Sequence, residues 1–134
     1  MSDINLQKDQ YIILEIIPTH SNPEKGYIAQ VSALKLHGIK LIDRFDYRVK
    51  ESLIQNIDIK KMIQYDKKNF TYLDNKDEII EKLKQWLEEY PILLIEETYT
   101  KKYLSNIENR KELIYPYLDM QYSLDIFDKI IKKY

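Results

Sequence analysis

With 134 residues, 44% of them hydrophobic and 32% charged, the chain has the size and composition of one globular domain over 1–134; only the polar start, Met1 to Gln10, is expected to fray. Lysine and arginine total 21 against 22 acids, which excludes a whole-molecule field drawing it to phosphate polymers or anionic membranes, so nucleic-acid contact would need local patches. The absence of cysteine excludes disulfides, thiolate zinc sites and a thiol nucleophile; no apolar run reaches the roughly 18 residues of a membrane span and the polar N-terminus does not read as a signal peptide, so a cytoplasmic location is expected.

Tyr11 to Ile17 is nearly all apolar and rich in β-branched residues, the pattern of a strand buried on both faces, and Pro18 ends it. A polar turn holding Asn22, Pro23 and Gly26 leads to a second strand, Tyr27 to Leu36, and His37-Gly38 sits where a tight hairpin turn is needed. Ile39 to Val49 then returns antiparallel. Strict alternation sets Ile39, Leu41, Asp43, Phe45, Tyr47 and Val49 on one side and Lys40, Ile42, Arg44, Asp46 and Arg48 on a wetter side, which suits an edge strand.

Leu53 to Tyr65 reads as a short helix, and Asp66 to Leu73 as an irregular link. Asn75 opens a clearer helix, with Glu78 three residues later completing a capping box. Ile79, Ile80, Leu83, Trp86, Leu87 and Tyr90 form its apolar stripe, and Pro91 stops it before a short buried strand, Ile92 to Ile95. Thr98 to Asn106 reads as a helix, Leu113 to Leu118 as a last strand, and the end as a helix with Leu124, Phe127, Ile131 and Tyr134 on one face. The sum is an α/β fold: a mixed sheet of about five strands, the first three antiparallel, flanked by helices.

The frame from Ile13 to Phe45, with Asn22-Pro23-Glu24-Lys25, Ile28, Ala33 and Asp43-Arg44-Phe45 in place, resembles the DnaQ-like (DEDD) 3′→5′ exonuclease superfamily, which has a ribonuclease H-like fold. Asp77 to Trp86 looks like the long helix before that family's second motif, and Tyr99 to Leu104 like the aromatic-led helix that begins with it. The resemblance implies two divalent ions held by four carboxylates, because hard Mg²⁺ or Mn²⁺ takes oxygen ligands and a pair about 4 Å apart activates water and neutralises the leaving oxygen. Glu15 stands at the family's first Asp, with one extra methylene, whereas Ile17 replaces the Glu and Thr100 the second-motif Asp. Pro18 and His20 replace the threonine and glycine that follow in the first motif. Asp119 fits an Asp that supports a helix in the family without binding metal, and the final motif would lie beyond Tyr134. One acid in four positions remains, so the resemblance implies a scaffold without its cage: a non-catalytic binding or regulatory module of a DNA- or RNA-processing assembly. No cofactor is expected, with Mg²⁺ or Mn²⁺ entering only if activity is retained.

Glu15 on a core strand must face a cleft, find a cationic partner or take up a proton. Glu96 and Glu97 follow a strand predicted to lie beside it, so a makeshift metal site of Glu15, Glu96 and Glu97 is conceivable; the plainer reading is a solvated or salt-bridged acid at the open end of the sheet. His20 and His37 sit in turns and read as surface residues. Tyr99, Lys101, Lys102 and Tyr103 are the candidates for weak nucleic-acid contact, bases stacking on the rings and lysines meeting phosphate. Against this, helical lysine pairs usually form a solvated face and tyrosines supply core surface with a polar tip. A protein partner or homo-oligomer is at least as well supported, since tyrosine is enriched at interfaces. The rival readings are a reduced but active exonuclease and a purely structural or oligomerising domain.

Overall fold

The computed structural model describes residues 8–64, 69–88, 90–94, 102–104 and 132–134. Three long strands come first: β1 (Gln10–Pro18), β2 (Ile28–His37) and β3 (Lys40–Val49). A 3-10 turn at Glu51–Leu53 leads to α1 (Ile57–Gln64), β4 (Thr71–Leu73), α2 (Lys76–Leu87) and β5 (Ile92–Leu94). The five strands form one sheet in the order β4-β3-β2-β1-β5. β1, β2 and β3 pair antiparallel, whereas β5 runs parallel to β1 and β4 parallel to β3. This is a mixed α/β architecture with a helix-flanked sheet. No helix among the described residues is long and apolar enough to cross a membrane.

β1 lies inside the sheet between β2 and β5 and is apolar on both faces, as its sequence pattern leads one to expect. Ile12, Leu14 and Ile16 join Val31, Ala33 and Phe45 beneath Ile79, Leu83 and Leu87 of α2, while Tyr11 and Ile13 meet Leu34, Leu36 and Leu93 on the other face. Asn75 caps α2 as expected, its Oδ1 accepting from the Asp77 amide at 2.8 Å. The helix ends at Leu87, earlier than its apolar stripe extends, and Glu88 follows with φ 49°.

Two expectations about β3 are corrected. Leu36 pairs with Leu41 and Lys35 with Asp43, leaving Ile42 as the extra residue of a bulge. The bulge breaks strict alternation: Leu41 packs with the Tyr11 and Leu36 cluster, whereas Asp43 lies on the α2 face and accepts from Trp86 Nε1 at 2.8 Å. Nor is β3 the sheet edge. The stretch read as an irregular link contains β4, which pairs Thr71 to Leu73 with Tyr47 to Val49. Outside that pairing, the Leu41 amide donates to the Tyr134 hydroxyl at 3.3 Å and the Arg44 amide to Asp43 Oδ1 at 2.8 Å, so two amides on the bare stretch are spent within the chain. The hairpin turn falls at Gly38-Ile39, where Gly38 takes φ 62° at no steric cost.

Two buried cations tie the helices to the sheet. Lys35 Nζ on β2 donates to the Trp86 carbonyl in the last turn of α2 at 2.7 Å, and Arg48 Nη2 on β3 donates to the Ile63 carbonyl in the last turn of α1 at 2.8 Å. Each cation meets the negative end of a helix, which satisfies an orphan carbonyl and offsets part of the cost of burying the charge. The strand expected at Leu113 to Leu118 lies outside the described residues. Of the helices expected at Thr98 to Asn106 and at the chain's end, 102–104 and 132–133 are helical.

Candidate functional site

The carboxyl end of β1 opens into a cleft of about 550 Å³ between the β1–β2 loop and α1. In open α/β sheets the crevice beyond the carboxyl ends of strands is where ligands gather. Glu15, Ile17, Pro18 and His20 line one side, and Asn56, Ile59 and Met62 the other. A register shift between Ile17 and Pro18 interrupts the β1–β2 ladder here, just before its last pair, Pro18 with Ile28.

The loop is fixed by its own polar groups. The Thr19 amide donates to the Tyr27 carbonyl at 2.8 Å and the Tyr27 amide to Thr19 Oγ1 at 3.0 Å, which closes the base. Asn22 Oδ1 accepts from the Glu24 amide at 3.0 Å, and His20 Nδ1 accepts from the Asn22 amide at 2.9 Å. The Tyr103 hydroxyl donates to the His20 carbonyl at 2.6 Å and locks the loop from below. Gly26 makes this approach possible, because a Cβ there would lie 2.5 Å from His20 Cβ and 2.8 Å from the Tyr103 hydroxyl. On the opposite wall, Asn56 Oδ1 accepts from the Asp58 and Ile59 amides at 3.0 and 3.2 Å, and its Nδ2 donates to the Thr19 carbonyl at 3.4 Å. Asn56 thus caps α1 and holds it against the loop.

Glu15 is half-buried and carries the only formal charge among the described residues lining the cleft. Ile17, at the position where the resemblance implies a second acid, is half-buried and packs with the Ala29, Val49, Ile54 and Ile63 cluster. Across the sheet Glu15 pairs with Ser32 and Ser32 with Asp46, so the three residues form one row. Asp46 is already engaged by Arg44, Nε to Oδ2 at 3.0 Å. Among the described residues no three His, Cys, Asp or Glu side chains converge as a metal site would require. Glu96, Glu97 and Thr100 lie outside the described residues, as do Tyr99, Lys101 and Asp119.

Of the nucleic-acid candidates, Lys102 is exposed. Tyr103 is corrected: its ring is 4% exposed and belongs to the core under α2, which leaves no face for a base. Burial also pushes its phenol above the usual tyrosine range. His20 and His37 are exposed; His20 lies in the β1–β2 loop, as expected, whereas His37 is the last residue of β2 and not part of the turn. Asn56 and Met62, which shape the cleft, were missed because the helix was expected to start at Leu53; an asparagine just before Ile57-Asp58 was the available N-cap signal.

No protein-family model matches this chain, and no curated protein matches it significantly.

Proposed function

We propose that the domain is a catalytically degenerate, ribonuclease H-like relative of the DnaQ-like exonucleases, serving as a non-catalytic binding or regulatory module in a DNA- or RNA-processing assembly. Two observations support the fold half of this reading: three antiparallel strands come first in the chain, and a parallel strand is then added beside β1 after a helix. The short parallel β4 on the far edge is an addition to the frame implied by the resemblance.

The observation that carries the functional half is the lining of the cleft at the end of β1. Among the described residues there, Glu15 is the single carboxylate, and Ile17, which the resemblance aligns with a second acid, is apolar. Two dications in contact range repel each other, and a single carboxylate supplies too little negative charge to hold both. The role in an assembly rests on family analogy.

The test is to incubate the purified chain with 5′-labelled single-stranded DNA and RNA and Mn²⁺, beside the Glu15→Gln variant. The expected result is no shortening of either oligonucleotide by either protein. Metal-dependent shortening that Glu15→Gln abolishes would overturn this reading in favour of a reduced but active exonuclease.

A further inference from the structure

The β1–β2 loop, which forms one rim of the cleft, is held by an imidazole acting as an acceptor. His20 Nδ1 takes a hydrogen bond from the Asn22 amide at 2.9 Å. That bond needs an unprotonated Nδ1, which places the ring proton of the neutral form on Nε2. An imidazolium donates from both nitrogens, so on protonation a donor would face the Asn22 N–H. Histidine is the side chain whose charge ordinarily changes between about pH 5 and 8, and His20 is exposed, so protons reach it without any opening of the fold.

The rest of the turn converges on Asn22. Its Oδ1 accepts from the Glu24 amide at 3.0 Å, and its carbonyl accepts from the Lys25 amide at 3.0 Å and from the Tyr103 hydroxyl at 3.4 Å. Moving Asn22 therefore disturbs three other bonds. The base of the loop is held separately, by the Thr19 and Tyr27 exchange and by the Tyr103 hydroxyl on the His20 carbonyl. The charged groups around the ring are Glu24 and Lys25 in the same loop and Glu15 on β1; the facing wall brings the uncharged Asn56, Ile59 and Met62, and Tyr103 approaches from beneath as a phenol. No ion pair among the described residues includes His20.

We propose that His20 is a proton-sensitive latch on the cleft rim: neutral, it holds the turn of residues 20–25 closed, and protonated, it releases Asn22 and loosens that wall while the base of the loop stays anchored. The latch does not depend on the exonuclease relationship.

The experiment follows the ¹⁵N-labelled full chain by NMR from about pH 8 to about pH 5 in metal-free buffer. Long-range ¹H–¹⁵N correlation identifies the His20 tautomer, and water–amide exchange gives the protection factor of each loop amide. The expected result is an Nε2–H tautomer at the upper end and an Asn22 protection factor that falls about two- to fivefold with the midpoint of the His20 ring, the worth of one exposed hydrogen bond. The Thr19 and Tyr27 amides should keep their protection. His20→Asn, whose side-chain oxygen accepts at every pH, should keep the turn closed throughout, and His37→Gln, which removes the other histidine, should behave as the parent does. An Nδ1–H tautomer, an Asn22 protection that does not follow the ring's titration, or a pH response that survives in His20→Asn would each overturn the proposal. The tautomer and the midpoint are read on the parent chain, so the test stands even where His20→Asn fails to fold.

Discussion

Replacing Lys35 with methionine isolates the electrostatic part of the joint between β2 and α2, because the apolar stem is kept and only the ammonium is lost. Lys35 is 6% exposed, and its Nζ sits 2.7 Å from the Trp86 carbonyl, 4.4 Å from the Trp86 ring centroid and 4.7 Å from that of Tyr90. A charge-assisted hydrogen bond to a backbone carbonyl is worth about 1.5–3 kcal/mol. The two ring contacts add about 0.5–1 kcal/mol each, and the helix end a further ~0.5 kcal/mol. Against these stands the cost of desolvating the ammonium, which methionine avoids and which removes roughly half of the total. The expected net loss is about 2 kcal/mol, or roughly 6–8 °C in Tm for a domain of this size. Glu88, 3.3 Å from Nζ, is 63% exposed on its side chain, so Glu88→Gln should cost under ~0.5 kcal/mol. Urea unfolding followed by circular dichroism measures both. A Lys35→Met variant as stable as the parent would refute the claim that the helix carbonyl and the aromatic box outweigh desolvation. A Glu88→Gln variant as damaged as Lys35→Met would show that the surface ion pair does that work.

Tyr11 is fully buried and its hydroxyl donates to the Gly38 carbonyl at 2.9 Å, so Tyr11→Phe should cost about 1–2 kcal/mol by urea denaturation. Burial raises this phenol above the ordinary tyrosine value near 10, so in alkali the unfolded chain loses the proton first. The tyrosine's contribution is therefore intact below about pH 10 and falls as pH rises beyond it, and Tyr11→Phe should flatten that limb of the stability profile between about pH 9 and 11; an unchanged slope would contradict the assignment. Gly26→Ala forces a Cβ to within 2.5 Å of His20 Cβ, and should destabilise by about 1–3 kcal/mol while speeding amide exchange in the β1–β2 loop. Parent-like exchange would mean that the loop does not depend on this close approach.

Long elements with one dominant pattern were legible in the sequence. β1 announced itself by seven consecutive mostly apolar residues from Tyr11 to Ile17, and α2 by Asn75 followed by the Ile79, Leu83 and Leu87 spacing. β4 was not legible, because a three-residue strand whose Thr71 and Tyr72 are exposed has no period to read; it exists only because α1 returns the chain beside Tyr47 to Val49. The bulge at Ile42 was hidden for a related reason, since Leu41, Ile42 and Asp43 satisfy an alternating pattern until the turn at Gly38-Ile39 sets the register. In the site, the apolar Ile17 and the acid Glu15 two residues before it were visible residue by residue. The cleft itself was not, since its far wall comes from Asn56, Ile59 and Met62, about forty residues away in the chain. Tyr103 misled as a base-stacking candidate because the same ring serves a core or a surface, and only the packing of His20 and Gly26 against it decides.

The reading proposed for the end of β1 is that it does not hold a pair of divalent ions. A Mn²⁺ titration followed by electron paramagnetic resonance, on the parent chain and on Glu15→Gln, tests it most directly. The account predicts free-ion signal throughout the sub-millimolar range and superimposable curves for the two proteins. Two ions bound per chain below about 1 mM, with the spectrum of a coupled pair and lost in Glu15→Gln, would contradict it.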